Sequence, residues 1–258
     1  MAYTARLTDV AHDYHERMFP GYVSDFLRTD PEFIERFDNF AFDEVISGTS
    51  ELDDRTRFMC WMATLLGCQG IDEFRGMAPA ALRMGLEPVA LREIVYQAVD
   101  YLGIGRMFPF IKAMNECFGA AGIELPLPEQ ATTDPTDESR KAGGTEAQVA
   151  AFGEGMRDFY DSGTGGREQI NHWLVKNCFG DFYTRKGLTM AERELVTFCF
   201  IAAQGGCESQ LRGHTNGNAH CGRTREFMIA VVSSNLPFIG YPRTLNALAV
   251  VDEVMPAE

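Results

Sequence analysis

The sequence predicts an all-α protein built as two copies of one helical unit. Two observations carry this prediction: the chain aligns with itself after a shift of about 137 positions, and helix-capping signals recur along it. The segment AVVSSN (230–235) has β-branched residues that favour a strand, but they sit inside a helical pattern. A chain of 258 residues, 45% of them hydrophobic, can bury a core in one large domain or two ordinary ones.

Residue types that are typical of helix ends place the individual helices. Helix starts are predicted at Asp30-Pro31, at the capping box from Thr189 to Glu192, at Thr224 and at Pro242. Gly85 and Gly222 each follow a helical stretch, where a left-handed C-terminal glycine is typical. Each copy is therefore expected to be a bundle of about five or six helices.

The internal repeat is most visible in its glycines and arginines. Before residue 75, Leu52 and Arg57 align with Leu188 and Arg193 at one position less than the shift of 137. From residue 75 to residue 116 the alignment at a shift of 137 needs no gap. Identical residues align there: Arg75-Gly76 with Arg212-Gly213, Gly85 with Gly222, Val95 with Val232, Gly103 with Gly240, Arg106 with Arg243, and Glu116 with Glu253. We interpret this as an old duplication, which predicts one repeat over 1–123 and a second over 149–258.

The segment between the repeats, 124–148, is rich in Pro, Thr, Asp and Gly and poor in large apolar residues. Such a composition favours a linker that crosses the surface and adds nothing to the core. The short segment GTGG (163–166) lacks the lysine and the strand of a phosphate-binding loop, so we expect an ordinary loop there.

Composition narrows the classes of partner and compartment. A net charge of −14 repels phosphate backbones, so no nucleic-acid partner is expected. The sequence contains no run of about 18 apolar residues, so no membrane-spanning helix is expected. The first residues lack the features of a signal peptide, and we therefore expect a cytoplasmic protein. The seven cysteines include no CxxC pair and lie mostly in apolar runs, which predicts reduced, buried thiols and no metal site.

One helix in the second repeat carries an unusual polar stripe. If 205–222 is helical, Cys207, Gln210, His214 and Cys221 lie along one stripe, with Asn218 beside it. Polar groups on an inward face must satisfy one another or line a cavity. The sequence thus predicts a candidate site here. The alternative is a satisfied structural histidine among cysteines that act as small hydrophobes.

The equivalent stripe in the first repeat is apolar at its key positions. Met77 corresponds to His214 and Met84 to Cys221, so only the second repeat has an ionisable ring there. Glu194 or Arg193, at the start of the preceding helix, is placed to hydrogen-bond His214 across the hairpin. Glu194 can equally interact with the positive end of its own helix. The other histidines are not expected in the site: His220 faces elsewhere, and His12, His15 and His172 are expected to be solvated.

These residues resemble the carboxymuconolactone decarboxylase family, which shares its all-helical fold with the alkylhydroperoxidase D-like proteins. The resemblance covers most of both repeats and is best in the second. It is carried by four segments: 188–196 with Arg193-Glu194, 205–214 with Gln210-Leu-Arg212-Gly-His214, 222–226, and 238–243 with Gly240-Tyr-Pro242-Arg243. The resemblance implies a tandem member of this all-α fold.

The peroxidase branch of the family implies one set of roles. Its members carry a Cys-x-x-Cys pair before the histidine and a glutamate in the previous helix that completes a proton relay. Here Cys207 holds the first cysteine position, Gln210 holds the second, and Glu194 falls within one residue of the relay position. Without a resolving thiol beside Cys207, the dithiol cycle cannot close within this motif.

The decarboxylase branch implies another set of roles and needs neither a metal nor an organic cofactor. Its substrate is a carboxylated lactone, whose carbonyl accepts the negative charge left by the departing CO₂. His214 would act as the acid or base. Arg212 is a candidate anchor for the carboxylate, although Arg75 at the equivalent position suggests a structural ion pair instead. Substrate-orienting roles fall to Gln210 and Asn218, with Glu208 as an auxiliary.

The leading hypothesis is a decarboxylase-like enzyme, a carboxy-lyase, acting on a small carboxylated lactone or related acid. One alternative is an alkylhydroperoxidase-like (peroxiredoxin-type) activity that uses Cys207. Another is a small-molecule binding protein without catalysis. Single-unit members of the family resemble hexameric rings, so a tandem chain is expected to form a homotrimer that presents six units.

Overall fold

The computed structural model describes residues 4–257, and these form helices and connecting loops with no β-strand among them. The all-α prediction is confirmed, and no helix in the described range is long and apolar enough to cross a membrane. The helices are α1 Asp9–Met18, α2 Phe26–Thr29, α3 Pro31–Asn39, α4 Val45–Ser47, α5 Asp54–Gly67, α6 Ile71–Arg83, α7 Pro88–Leu102, α8 Ile104–Ala120, α9 Asp137–Phe152, α10 Glu168–Trp173, α11 Met190–Gln204, α12 Glu208–His220 and α13 Arg225–Val254. Two π-helical segments, Phe40–Glu44 and Leu174–Tyr183, and two 3₁₀ turns, Glu154–Met156 and Phe159–Asp161, complete the fold.

The helix order of 54–120 recurs in 190–254. Helix α6 (71–83) and helix α12 (208–220) have bounds that differ by 137 at both ends. Helix α13 is interrupted at Gly240, whose φ of 70° is not helical, just as Gly103 with a φ of 75° separates α7 from α8. The element order agrees with the repeat that the sequence predicts, and its origin by duplication stays a prediction.

The capping signals act largely as the sequence predicts. Thr189 and Glu192 form both hydrogen bonds of the capping box, and the Thr224 side chain accepts from the backbone N–H of Phe227. Gly85 and Gly222 have φ values of 98° and 86°. Helix α3 begins at Pro31, but the Asp30 carboxylate accepts from the Thr29 hydroxyl and does not cap the helix.

Helix α11 is one residue longer than its counterpart α5, which explains the shift in phase within the repeat. The caps of α5 are Asp53 and Cys68, whereas those of α11 are Thr189 and Gly205. The N-terminal caps therefore differ by 136 positions and the C-terminal caps by 137. The extra residue in α11 accounts for the one-position offset seen in the sequence.

The two repeats share one hydrophobic core. Helix α5 packs along α11, and each of them also packs against a helix of the other repeat, α5 against α13 and α11 against α7. A buried arginine of each repeat donates a hydrogen bond to the other repeat. Arg57 donates to Ser234 Oγ (3.3 Å), and Arg193 donates to Gln97 Oε1 (2.7 Å). A continuous cluster of buried apolar residues runs through both repeats, so the boundaries predicted for them do not separate two cores.

The segment predicted as a linker contributes to packing in its second half. Helix α9 starts at Asp137 and packs on the π segment Leu174–Tyr183. A Cβ atom at Gly144 would lie 1.9 Å from the Val175 carbonyl oxygen, so the two backbones are in direct contact. The prediction that 124–148 adds nothing to the core is corrected from residue 137 onward, because glycine and alanine let α9 pack without large side chains.

Candidate functional site

The α11–α12 hairpin brings the candidate residues together. Helix α11 is buried along nearly all of its length, and Glu194 lies in its first half with none of its surface exposed. Gly205, with a φ of 70°, ends α11 and lets the chain reverse into α12. His214 lies in the middle of α12 and is 9% exposed, so the hairpin holds it against Glu194.

Glu194 and His214 form a hydrogen-bonded pair. The distance from His214 Nδ1 to Glu194 Oε2 is 2.8 Å. Because a carboxylate oxygen accepts, Nδ1 carries the proton and Nε2 is left as the second reactive nitrogen of the ring. A buried carboxylate behind an imidazole fixes the orientation and tautomer of the ring and stabilises its protonated form. This geometry favours proton transfer at His214 Nε2.

Gly217 and Asn218 position this pair. A Cβ atom at Gly217 would lie 2.2 Å from Glu194 Oε2, so only glycine leaves room for the carboxylate on this side of α12. Asn218 donates from Nδ2 to the backbone carbonyls of Glu194 (3.0 Å) and His214 (2.8 Å). Asn218 thus ties α11 to α12, and it does not line the cavity as predicted for a substrate-orienting residue.

His214 lies on the wall of a cavity of about 370 Å³. The walls are mostly apolar, and they come from both repeats and from α9. They comprise Asp100, Tyr101, Gln148, Phe152, Met156, Phe159, Leu174, Phe179, Ile201, Gln204, Cys207, Gln210 and His214. The rings of Tyr101 and Phe152 contact the imidazole edge to face, with centroids 5.3 and 5.5 Å away. A small molecule in this cavity would be largely removed from water beside His214.

Gln148 and Asp100 are polar residues of the cavity that the sequence analysis missed. Gln148 is 1% exposed, and neither Nε2 nor Oε1 has a hydrogen-bond partner among residues 4–257. Asp100 Oδ2 is likewise buried without a partner in that range. Buried polar groups are normally hydrogen-bonded, so these two groups are available to a polar ligand or to water in the cavity.

Burial raises the pKa of Asp100 to about 8, and the nearby charge of Asp181 adds to this rise. Asp100 therefore holds its proton at neutral pH and can donate it in a hydrogen bond. The neighbouring Tyr101 hydroxyl hydrogen-bonds Tyr183 (2.8 Å), which in turn hydrogen-bonds Thr197 (2.8 Å). Burial also raises the pKa of Tyr101, so its hydroxyl stays neutral.

Cys207 and Gln210 line the cavity, as the sequence stripe predicts. Cys207 is the N-terminal cap residue of α12, and its Sγ accepts a hydrogen bond from Gln204 Nε2 at 3.2 Å. Gln210 is exposed, on the next turn of the same helix. All seven cysteines are free, and Cys207 is the cavity-lining thiol of the described chain. Of the catalytic trio predicted from sequence, Cys207 and His214 line one cavity, and Glu194 lies buried behind His214, to which it is hydrogen-bonded.

Arg212 and Glu208 lie elsewhere. Arg212 donates a bifurcated hydrogen bond from Nε to both carboxylate oxygens of Glu253, at 2.9 and 2.8 Å, and does not line the cavity. Its counterpart Arg75 lies 3.8 Å from Glu116 at the matching place, so an ion pair explains both arginines. Glu208 is exposed at the first turn of α12, outside the cavity. Neither side chain is in position to act as the predicted carboxylate anchor or auxiliary.

Among the remaining histidines, His15 departs from its prediction. It is half-buried in the first repeat, with its ring 5.2 Å from that of Phe19, and is not freely solvated. His12 and His220 are exposed. His172 also departs from its prediction, since it is half-buried and stacks on Tyr160 at a centroid distance of 4.0 Å. Within residues 4–257, no group of three or more His, Cys, Asp or Glu side chains is arranged to hold a metal ion.

Comparison with known proteins supports the interpretation of the second repeat. Residues 168–253 match the model of the carboxymuconolactone decarboxylase family. This range contains α10 to α13, including Glu194, Cys207 and His214. No curated protein matches the chain. The all-α fold and the match over residues 168–253 agree with the resemblance drawn from the sequence.

Proposed function

We propose that the second-repeat cavity catalyses decarboxylation of a small carboxylated lactone or related acid by acid–base chemistry. The observation that carries the proposal is the Glu194–His214 pair, with an Nδ1–Oε2 distance of 2.8 Å, on the wall of a mostly apolar cavity of about 370 Å³. That arrangement leaves one imidazole nitrogen available for proton transfer to a substrate that is largely removed from water.

The reaction divides into two steps. In the first, the bond between the substrate carbon and its carboxylate breaks, and the electron pair passes through the double bond to the carbonyl oxygen as CO₂ leaves. In the second, the protonated imidazole gives the proton on Nε2 to the carbon, and the ring later regains a proton from water. The negative charge of Glu194 stabilises the imidazolium before this transfer. No external electron acceptor is needed, because the substrate carbonyl serves as one.

Asp100 and Gln148 take the roles that Arg212 cannot fill. A neutral Asp100 carboxyl donates a hydrogen bond to the carbonyl oxygen, where negative charge develops. The Gln148 amide N–H groups, which lack a partner among residues 4–257, bind the carboxylate without neutralising it. Poor solvation of that carboxylate in an apolar cavity favours its loss as CO₂.

A second candidate is hydroperoxide reduction at Cys207, which is favoured by its place on the same cavity as His214. The Cys207 thiolate would attack the peroxide oxygen, an alcohol would leave with the proton supplied by His214, and the sulfur would become a sulfenic acid. The cavity offers no second cysteine among the described residues, so regeneration requires an external thiol reductant. A binding protein without turnover is the third candidate.

The test is turnover of 4-carboxymuconolactone, followed as CO₂ release, by the wild type and by His214→Gln, Glu194→Gln and Cys207→Ser. We expect losses in kcat of about 100-fold or more for His214→Gln and a smaller loss for Glu194→Gln, because Glu194 acts through the histidine. Cys207→Ser should retain turnover. If the wild type reduces a hydroperoxide, Cys207→Ser does not, and no form turns over the lactone, the second candidate replaces decarboxylation. Binding without either activity would leave the non-catalytic role.

A further inference from the structure

The first repeat contains its own cavity, of about 700 Å³. Seven of its lining residues stand 137 positions before lining residues of the His214 cavity, so the two cavities occupy matching places in the two repeats. The matching pairs are His15 and Phe152, Phe19 and Met156, Tyr22 and Phe159, Phe37 and Leu174, Phe42 and Phe179, Glu73 and Gln210, and Met77 and His214. Because Met77 stands at the position of His214, this cavity lacks the imidazole of the proposed chemistry.

Aromatic rings dominate its walls. Six of them belong to Phe19, Tyr22, Phe26, Phe33, Phe37 and Phe42. The imidazole of His15 lies among these rings, 5.2 Å from Phe19, 6.4 Å from Tyr22 and 6.3 Å from Phe42. Burial lowers the pKa of His15, so this ring is neutral at neutral pH and does not repel a positive charge. The negative faces of aromatic rings attract cations, most strongly organic ammonium groups.

Asp38 provides a negative charge within this aromatic wall. It is 8% exposed, it lines the cavity, and it makes no hydrogen bond or ion pair with any residue from 4 to 257. Asp38 also borders a smaller adjoining cavity of about 170 Å³, which it shares with His15 and Tyr22. An unpaired buried carboxylate costs folding free energy, and a cationic ligand removes that cost.

Among residues 4–257, no side chain that lines the cavity neutralises Asp38. Arg75 is engaged by Asp72 at 3.1 Å and by Glu116 at 3.8 Å, and Arg83 donates to the Met18 carbonyl at 3.0 Å. Burial alone accounts for the rise in the pKa of Asp38 to about 6, so neither arginine acts on it as a counter-ion. At pH 7.5 this carboxylate is therefore charged, and it has no ion-pair partner in the described part of the chain.

The fold does not require a carboxylate at this position. Val175 stands at the equivalent place in the second repeat, where it is fully buried. An apolar side chain therefore fills the equivalent position. Asp38 thus carries a stability cost that its counterpart avoids, which is typical of a residue kept for binding.

We propose that the first-repeat cavity binds an organic monocation with an apolar body, a protonated amine or a quaternary ammonium, whose charge pairs with Asp38 while its body lies against the aromatic rings. This site is separate from the proposed catalytic cavity and does not depend on turnover there. The exposed carboxylate of Glu73 adds to the negative potential of the lining.

Isothermal titration calorimetry at pH 7.5 with the full chain tests the proposal. The probes are 2-phenylethylammonium, the neutral 2-phenylethanol and the anionic phenylacetate, which share one aromatic body. We expect the ammonium to bind at one site per chain, more tightly than the alcohol. Any phenylacetate binding, which the second-repeat cavity can provide, should be unchanged in the Asp38 variants. Asp38→Asn and Asp38→Val should each weaken ammonium binding by about tenfold or more.

Glu32→Gln is the matched control, since it removes one negative charge from the exposed side of the same helix, α3. This variant should bind the ammonium like the wild type, and His214→Ala should do so too if the site is the first-repeat cavity. Three results would overturn the proposal: phenylacetate binding that is as tight as that of the ammonium and changes in the Asp38 variants, wild-type ammonium affinity in both Asp38 variants, or no heat from the ammonium up to millimolar concentration. Thermal melting of the Asp38 variants verifies that they are folded.

Discussion

At the scale of single residues, Asp100 sets the pH dependence that the proposed mechanism predicts. Its pKa is raised from 3.8 to about 8, so the carboxyl donates a hydrogen bond below that pH and loses this ability above it. We therefore expect kcat for decarboxylation to fall as the pH rises through about 8. Asp100→Asn keeps a weaker donor that does not titrate, so it should lower kcat by about tenfold and change the alkaline limb to the part that loss of the His214 imidazolium causes.

Folding stability provides the control for the Asp100 prediction. The folded-state pKa lies above the unfolded value, so the folded state holds a proton that the unfolded chain releases between about pH 4 and 8. This group therefore lowers stability as the pH rises through that window, and Asp100→Asn should be at least as stable as the wild type at pH 7.5. An unchanged alkaline limb in a stable Asp100→Asn variant would remove Asp100 from the mechanism.

The site could be predicted from the sequence only within the α11–α12 hairpin. His214 and Cys207 share α12 with Gln210, and a helical spacing is enough to place them on one stripe. Gln148 and Asp100 come from helices α9 and α7, and their place on the cavity depends on how those helices pack, which no local pattern encodes. Arg212 was predicted to anchor a carboxylate because of its charge. It follows Gln210 by two residues, which places it roughly 200° around the helix from the face that Gln210 presents to the cavity.

At the scale of elements, the contact between α9 and the π segment Leu174–Tyr183 shapes the catalytic cavity. Gln148 and Phe152 on α9 and Leu174 and Phe179 on the π segment all line it. Capping signals predicted the ends of several helices, since caps are local side-chain chemistry. The sequence contains no comparable signal for the π segment. The glycines of α9 suggested a linker, because the close contact that Gly144 allows between two backbones is visible only in the structure.

Gly144→Ala tests this contact. The added methyl would overlap the Val175 carbonyl, at 1.9 Å, so α9 and the π segment must separate. We expect a loss of about 2–3 kcal/mol in the free energy of unfolding, measured by urea denaturation. Gly213→Ala is the matched control, because a Cβ there meets nothing within 4 Å and alanine favours the helix. Equal stability of both variants would contradict the close approach.

At the scale of the whole molecule, exposed apolar side chains recur at matching places in the two repeats. Ile104 and Tyr241 differ by 137 positions, as do Phe108 and Leu245, and all four are between 57% and 63% exposed. They lie near the start of α8 and just after the break in α13 at Gly240. Repeated apolar patches on a surface are typical of interfaces, and a patch present in both repeats suits a ring in which each repeat contacts a neighbouring chain.

We therefore propose that three chains associate into a ring of six repeats, as the family resemblance implies. Light scattering after size-exclusion chromatography should give a mass three times that of one chain, and the combined change Phe108→Glu with Leu245→Glu should give a folded monomer. Because each chain carries a net charge of −14, association should strengthen as salt screens the repulsion between copies. Arg157→Glu, a change at an exposed site outside these patches, serves as the control for added negative charge. A wild-type monomer at high salt would contradict the ring and leave the patches free for another partner.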